Sequence, residues 1–231
     1  MKVIGHRGAA GLALENTLES IKAAKAAGVD AIEFDVRLTA DGHFVLCHDV
    51  STKRVSAEEV RIHESSLATL SNVILHNGEP LPTLDVALKT CAKTPVFLEV
   101  KGTDWAKKLA SFLKDYETKH VSVIALNHQE LAQFGKLMPK IETYAIVKFH
   151  STEILETFKF AARSGFKGID MNFWLLNPLT YRWAKQWNLR VVVYTVNSRL
   201  IARFLQRLFP EVVFTTNYPK RLLSFKKELQ K

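Results

Sequence analysis

The chain has 231 residues, of which 47% are hydrophobic and 24% charged, and its formal net charge at pH 7 is +9. These values are typical of a soluble globular protein, and we expect a single domain over residues 1–231. No run of eighteen apolar residues and no secretory signal pattern are present. The sequence therefore predicts a cytoplasmic protein without stable membrane insertion.

The positive charge is large enough to attract anions, but it does not choose among a phosphorylated small molecule, nucleic acid and an acidic membrane surface. The densest basic cluster lies near the C-terminus, where a solvated helix face is the plainer interpretation. It consists of Lys220, Arg221, Lys226, Lys227 and Lys231. The two cysteines lack the spacing of a disulfide framework or a zinc site, and we expect Cys47 and Cys91 to be reduced and half-buried.

Short apolar runs rich in β-branched residues alternate with segments of helical period along nearly the whole chain. We predict eight strands, at Val3–His6, Ala31–Val36, Val96–Lys101, Val121–Leu126, Thr143–Val147, Gly168–Met171, Val191–Val196 and Val212–Thr216. Eight strand-helix repeats in this length favour a closed (β/α)8 barrel, which usually needs roughly 250 residues. An open doubly wound sheet is the alternative, but it ordinarily has fewer strands.

Helix signals fill the segments between the strands. Asn16 is a candidate cap, with Glu19 at the third position of the helix that follows. Asp104 precedes a second amphipathic segment, and Asn177-Pro178 starts a third.

One segment breaks the alternation after the second strand. Asp41-Gly42 separates two strand-like runs, which predicts a hairpin that returns His48 to a place opposite Asp35. The stretch from about residue 50 to 82 is then an insertion before a helix that begins near Thr83. An excursion of this length at the exit of a strand predicts a function, such as covering the substrate.

Charged residues occur where the first strands end. In a parallel barrel the carboxyl ends of the strands meet at one mouth, where reactive groups collect. Glu33 and Asp35 are two residues apart and so share a face of their strand, and Glu99 stands on the next barrel strand. Three converging carboxylates are the oxygen ligands expected for Mg²⁺ or Ca²⁺. The alternative is a salt-bridge network in which these acids are neutralised by Arg7 and Lys101.

Two histidines, His6 and His48, are predicted at the same mouth. Imidazole can serve as general base or general acid near neutral pH, which is what cleavage of a phosphodiester requires. Arg7 and Lys101 would hold the phosphoryl charge. The remaining histidines are expected on the surface; they are His43, His63, His76, His120, His128 and His150.

In order and spacing, these motifs resemble the glycerophosphodiester phosphodiesterase family. The matching segments are Gly5-His6-Arg7-Gly8, Glu15-Asn16-Thr17, Glu33-Phe34-Asp35-Val36, His48-Asp49, Leu98-Glu99-Val100-Lys101, Pro82-Thr83-Leu84, Tyr194-Thr195-Val196-Asn197 and Thr215-Thr216-Asn217-Tyr218-Pro219. The resemblance covers essentially the whole chain, and its most specific motifs lie in the first 101 residues.

The resemblance implies a TIM barrel that hydrolyses glycerophosphodiesters to sn-glycerol 3-phosphate and an alcohol with a divalent cation. It implies catalytic roles for His6 and His48, metal ligation by Glu33, Asp35 and Glu99, and phosphate contacts from Arg7 and Lys101. Further pocket residues are expected at Glu15, Asn16, Tyr194 and Asn197.

Three positions depart from the family pattern: Leu14, Tyr194 and Asn217. We expect none of them to touch the metal or acid-base set. We expect them instead to affect the shape of the glycerol pocket and hence the preferred alcohol.

A rival function is a phosphodiesterase of the same barrel type that acts on lysophospholipids or phosphoinositides. The apolar run Phe173-Trp174-Leu175-Leu176 could serve a membrane substrate, although the packed start of a helix is the preferred interpretation. A non-catalytic anion- or nucleic-acid-binding protein is less favoured, because no aromatic residues interleave with a basic stripe. The expected partner is a small-molecule substrate and not nucleic acid.

Overall fold

The computed structural model describes residues 1–148 and 153–228 of the chain, with side chains up to residue 224. Within these described residues, nine strands form one sheet: β1 Lys2–Gly5, β2 Ala31–Leu38, β3 Phe44–Leu46, β4 Val96–Lys101, β5 Val121–Ala125, β6 Glu142–Val147, β7 Gly168–Asn172, β8 Arg190–Tyr194 and β9 Val213–Thr216. Because β1 pairs in parallel with both β2 and β9, the eight parallel strands close into a barrel. β3 pairs antiparallel with β2 on the outside, so the predicted barrel with an extra hairpin is confirmed.

Helices follow the strands around the outside. Their bounds are α1 Leu18–Ala27, α2 Leu67–Leu70, α3 Leu84–Cys91, α4 Ala106–Leu113, α5 His128–Leu137, α6 Ile154–Arg163, α7 Pro178–Gln186, α8 Arg199–Leu208 and α9 Pro219–Glu228. Asn177 and Thr180 form a reciprocal capping box at the start of α7, and Thr83 caps α3, so both helices begin where they were predicted to. α4 starts without a side-chain cap, so Asp104 does not fill that role.

The predicted cap of α1 is wrong by one residue. The Thr17 side chain accepts the hydrogen bond from the Ser20 amide, while Asn16 adopts a left-handed conformation with φ of 57°. Asparagine tolerates this conformation better than most residues. Its amide is used elsewhere, because Nδ2 donates to Asp35 Oδ2 at 2.9 Å and Oδ1 accepts from the Asp35 backbone N–H at 3.0 Å.

The interior of the barrel is layered. Near the amino ends of the strands, the inward positions are apolar and include Ile4, Ala31, Phe97, Tyr144 and Val192. Successive inward positions are two residues apart, so towards the carboxyl ends they become Glu33, Asp35, Glu99, Lys101, Asp170 and Tyr194. A polar layer therefore lies directly above an apolar floor.

The excursion of residues 50–82 packs against the side of the barrel. It has a small apolar core of its own, built around Val45 and Cys47 of the hairpin together with Val55, Ile62, Leu70, Val73, Leu75 and Leu81. No residue of the excursion lines the cavity at the mouth, and its role in covering a bound substrate stays a prediction. The apolar core holds the excursion on the hairpin.

Both cysteines are free, and they are fully buried where half-burial was expected. Burial raises the pKa of Cys47 to about 11 and that of Cys91 to about 12. Both thiols are therefore protonated at neutral pH.

Most of the described histidines and C-terminal basic residues that were expected on the surface are exposed. His43, His63, His76 and His120 are exposed, but His128 is half-buried, stacks on Phe160 and lies 2.9 Å from the Ile146 carbonyl oxygen. His150 lies outside the described residues, as do the side chains of Lys226, Lys227 and Lys231. Lys220 and Arg221 are exposed on α9.

The apolar run before α7 packs as expected except at one position. Phe173 and Leu175 are half-buried and Leu176 is buried, whereas Trp174 is 70% exposed. Among the described residues, no helix is both long enough and apolar enough to cross a membrane.

Candidate active site

Two glycines shape the loop that carries His6 and Arg7. A Cβ on Gly5 would lie 2.2 Å from the Gly8 carbonyl oxygen, and a Cβ on Gly8, whose φ is +83°, would lie 2.2 Å from Ser20 Oγ. Arg7 between them also has a positive φ, of 49°. This conformation is fixed by the Arg7 carbonyl, which accepts hydrogen bonds from Ser20 Oγ at 2.6 Å and from the Asn16 N–H at 3.1 Å. The tight turn places both functional side chains over the end of β1.

Three carboxylates converge at the mouth. Glu33, Asp35 and Glu99 each offer an oxygen within 4.8 Å of the others, which brings the predicted trio together. Glu33 and Asp35 are 3% and 0% exposed. Burial, with the neighbouring acids, raises the pKa of Glu33 well above its usual value and that of Glu99 to about 6. Burial opposes ionisation of Asp35 as well, but Lys101 and then Arg7 hold its pKa well below the usual range.

Arg7 and Lys101 supply part of the opposing charge. Lys101 Nζ lies 2.9 Å from Asp35 Oδ1 and also contacts Glu99, and Arg7 Nε lies 3.2 Å from Asp35 Oδ2. Arg7 is shared with Glu15, to which its Nη1 donates at 2.7 Å. The salt-bridge alternative thus accounts for Asp35, but the buried Glu33 Oε1 has no hydrogen-bond partner.

His6 is held by Asn217, a position that was expected not to touch the acid-base set. His6 Nδ1 lies 2.6 Å from Asn217 Oδ1. Because an amide oxygen only accepts, Nδ1 carries the proton, and Nε2, 3.9 Å from Glu33 Oε2, is left as a free lone pair. Burial and then the charge of Arg7 lower the pKa of His6 to about 4, so its imidazole is neutral at pH 7.

His48 is positioned by the hairpin and by a charged partner. Its carbonyl accepts hydrogen bonds from Arg37 Nε at 3.0 Å and Nη2 at 2.7 Å, and its Nδ1 lies 2.7 Å from Asp49 Oδ1. Burial and then the charge of Lys101 lower the pKa of His48, while Asp35 and Asp49 oppose this shift. Asp49 is in turn bound by Arg54, whose Nε lies 2.6 Å from Oδ2.

A cavity of about 310 Å³ opens between these groups. It is lined by His6, Arg7, Glu33, His48, Glu99, Lys101, Ile124, Leu126, Ile146, Asp170, Asn172, Tyr194, Thr195 and Thr215. Both histidines therefore face one space with the two cationic side chains and two of the acids. Of the predicted pocket residues, Tyr194 lines the cavity.

The other three predicted pocket residues do not line the cavity. Glu15 is paired with Arg7 and Arg54, and Asn16 holds Asp35. Asn197 Oδ1 accepts from Thr216 Oγ1 at 3.2 Å and from the Asn217 N–H at 2.9 Å. Glu15 thus contacts the cavity residue Arg7 directly, whereas Asn16 and Asn197 bond to Asp35 and Asn217, which in turn contact Arg7 and His6.

Asp170 is a site residue that the sequence reasoning missed. It is 4% exposed, and its Oδ1 is buried without a hydrogen-bond partner. Burial and then the charge of Glu99 raise the pKa of Asp170 well above its usual value. The signal was present in the sequence, because Asp170 lies in a buried run two residues after Gly168, on the inward face of β7.

The acidic trio fits a divalent cation. All three donors are carboxylates, the hard oxygen ligands that Mg²⁺ and Ca²⁺ prefer. Two buried acids and the half-buried Glu99 face two cationic side chains, one of which is shared with Glu15, so negative charge is left over when all three acids are ionised. The unpartnered Glu33 Oε1 provides a ligand atom that nothing in the described structure uses.

Comparison with known proteins gives a consistent assignment. Residues 6–220 match the model of the glycerophosphoryl diester phosphodiesterase family. The chain is 26% identical over 232 residues to the YhdW protein of Bacillus subtilis (strain 168), whose name provisionally assigns it as a glycerophosphodiester phosphodiesterase, with 95% of each chain covered. It is also 27% identical over 135 residues to a lysophospholipase D of Mus musculus, covering 52% of this chain and 43% of the relative.

A similar solved structure is that of an Oleispira antarctica phosphodiesterase in complex with its product sn-glycerol 3-phosphate. The TM-score is 0.86 at 24% identity, with 97% of this chain and 96% of the other covered, which supports the barrel fold. The family match spans nearly the whole described barrel, including both histidines and all three acids. The chain belongs to the glycerophosphoryl diester phosphodiesterase family of enzymes.

Proposed function

We propose that the protein, as a single domain, hydrolyses glycerophosphodiesters to sn-glycerol 3-phosphate and an alcohol, using a divalent cation. The observation that carries this proposal is the shared cavity, in which two imidazoles with fixed Nδ1 partners face Glu33 and Glu99, two of the three clustered carboxylates. Family membership supports the reaction class. The product bound by the Oleispira antarctica protein is the one we expect here.

His6 is proposed as the general base. Its Nδ1 proton is committed to Asn217, and its neutral Nε2 can accept the proton of the attacking hydroxyl, whether that belongs to water or to the substrate. His48 is proposed as the general acid, because the Asp49 carboxylate stabilises its protonated form. It would donate that proton to the alcohol oxygen as the P–O bond breaks.

Arg7 and Lys101 are proposed to bind the phosphoryl oxygens, since both line the cavity. Glu33, Asp35 and Glu99 would hold Mg²⁺ or Ca²⁺. The bound cation would supply Lewis-acid stabilisation of the phosphoryl charge.

The test is turnover of a substrate panel by the purified chain with Mg²⁺, Ca²⁺ or EDTA. The panel contains glycerophosphocholine, glycerophosphoethanolamine, glycerophosphoinositol and a lysophosphatidylcholine, the last because a relative is named a lysophospholipase D. We expect cation-dependent release of sn-glycerol 3-phosphate. Preferential cleavage of the lysophospholipid would favour the rival substrate class, and full activity in EDTA would contradict the cation assignment.

Variants of the two histidines test the acid-base pair. We expect His6→Ala and His48→Ala each to lower kcat by a factor on the order of 10² to 10⁴, because each removes a positioned proton-transfer group. His43→Ala, at a side chain that is 56% exposed, is the matched control and should keep full activity. If either site variant retained most of its turnover, the pair assignment would be wrong.

A further inference from the structure

Helix α8 carries an apolar stripe that the barrel does not cover. Leu200, Phe204 and Leu208 are 78%, 62% and 52% exposed. Because they are four residues apart, they line one side of the helix. The side chains that α8 buries against the barrel are Ala202 and Leu205. Single exposed apolar residues are ordinary, but three large ones in a continuous row mark an interaction surface.

An arginine stripe runs directly beside the apolar stripe. Arg199, Arg203 and Arg207 precede Leu200, Phe204 and Leu208 by one residue each, so they share the spacing of four and lie on the adjacent side of the helix. The ten residues of α8 include no acidic side chain. Within residues 1–148 and 153–224, neither Arg203 nor Arg207 is paired with a carboxylate. The solvent side of α8 is thus half apolar and half cationic.

We propose that α8 docks the protein onto the surface of an anionic lipid bilayer. A bilayer surface offers phosphate groups and the edge of the acyl region within a few ångströms of each other, which matches two parallel stripes of opposite character. Leucine and phenylalanine side chains enter the acyl boundary of such surfaces, and guanidinium groups bind lipid phosphates bidentately. The formal net charge of +9 adds long-range attraction to the same surface.

A second copy of the chain is a poorer fit to this surface. In an antiparallel two-fold pair of α8 helices, both arginine stripes fall on the same side of the seam. Like charges would then face each other along the whole contact. Charge complementarity therefore favours an anionic partner surface over self-association.

The position of α8 relates the surface to the cavity. α8 begins just after β8, whose carboxyl end lies at the mouth, so Leu200 marks the end of the helix nearest the opening. Trp174, also strongly exposed, follows β7 at the same rim. Docking through α8 would hold the mouth of the barrel beside the lipid surface. This docking proposal does not depend on the reaction proposed above.

The test is cosedimentation of the whole chain with lipid vesicles. We expect binding to phosphatidylcholine vesicles that contain about a third phosphatidylglycerol, weakening as salt rises, and little binding to pure phosphatidylcholine. Combining Leu200→Gln, Phe204→Gln and Leu208→Gln should lower the bound fraction about tenfold, because the apolar contact is lost. Arg203→Gln with Arg207→Gln should lower it about tenfold through the lost charge.

Matched controls sit on other helices. Leu137→Gln on α5, at a side chain that is 47% exposed, and Lys107→Gln with Lys108→Gln on α4, where both lysines are exposed, should bind like the wild type. All variants should keep the wild-type melting temperature and the wild-type turnover of a water-soluble phosphodiester, if the wild type shows any. Equal binding to neutral and anionic vesicles would overturn the proposal, as would undiminished binding by the triple variant. Self-association that depends on the same leucines, without vesicle binding, would assign the stripe to a second copy instead.

Discussion

The two histidines at the mouth differ in the residue that each contacts through Nδ1. His6 faces the neutral amide of Asn217 at 2.6 Å, whereas His48 faces the Asp49 carboxylate at 2.7 Å. A neutral acceptor fixes the tautomer without favouring the imidazolium ion, and a carboxylate favours that ion. This difference in partners is the structural basis for assigning His6 as the base and His48 as the acid.

Replacing the neutral partner of His6 tests that assignment. Asn217→Asp keeps the shape but places a carboxylate at Nδ1, so the pKa of His6 should rise from about 4 by one unit or more. A base is active when unprotonated, so the acid limb of the kcat/KM profile should move to higher pH. Asn188→Asp, an exposed position between α7 and β8, makes the same change of net charge and should leave the limb in place. An unmoved acid limb in Asn217→Asp would show that His6 is not the titrating base.

Asp170 makes folding depend on pH. Its pKa is raised in the folded protein above the unfolded value of about 3.9. The folded state then binds more protons than the unfolded state between the two values, so this carboxyl favours folding at low pH and opposes it as pH rises.

Asp170→Asn should therefore stabilise the protein against thermal unfolding near pH 8, with the gain fading towards pH 4. The amide is uncharged at both pH values, so the variant has no charge to bury. Thermal melts at several pH values measure this, with the exposed Asp115→Asn as control. Loss of stability at pH 8 would mean that the Asp170 carboxylate has a partner that the amide cannot replace.

At the scale of elements, the strands were predictable because parallel strands buried on both sides are continuous apolar runs. The polar positions that interrupt these runs recur at alternate residues near the carboxyl ends, and this pattern predicted Glu33, Asp35 and Glu99. Asp170 follows the same rule but stands alone in its strand. Its inward position could be read from the sequence, but no second acid stands two residues away, so the spacing rule that found the other carboxylates did not select it.

Contacts made by loops could not be predicted from spacing. Asn217 reaches His6 across 211 residues, and Arg54 reaches Glu15 across 39. Such pairs depend on how the barrel closes and how the excursion packs on the hairpin. The α1 cap was also misassigned, because the tertiary contact of Asn16 with Asp35 takes the side chain that local rules would use as a cap.

Arg54 links the excursion to both sides of the active site. It lies 2.8 Å from Glu15 and 2.6 Å from Asp49, which in turn contact Arg7 and His48. Arg54→Gln should raise the pKa of His48, because Asp49 would no longer share its charge with a guanidinium group.

Because a general acid is active when protonated, the basic limb of the pH–rate profile should move to higher pH. The free energy of unfolding should change by less than about 1 kcal/mol, since the Arg54 side chain is 47% exposed. The same pH profile measured for Lys53→Gln, a neighbouring exposed cation, provides the control. A profile identical to that of the wild type would mean that Asp49 does not tune His48.

Across the whole molecule, an acidic centre is set in a basic protein. The formal net charge is +9, yet the polar layer of the barrel buries more carboxylates than cationic groups. Buried acids of like charge are strongly unfavourable unless a cation or protons compensate them. The raised pKa of Glu33, the unpartnered Glu33 Oε1 and the convergence of three carboxylates from β2 and β4 all support one claim of the proposed function, that the mouth of the barrel binds a divalent cation.

Titration calorimetry of the EDTA-treated protein with Mg²⁺ and with Ca²⁺ tests that claim most directly. We predict saturable binding of about one ion per chain, weakened about tenfold or more by Glu33→Gln, which removes a carboxylate ligand. Glu59→Gln, at an acid that is 53% exposed, should bind like the wild type. Absence of binding to the wild type, or equal affinity in Glu33→Gln, would contradict the assignment of Glu33, Asp35 and Glu99 as the cation site.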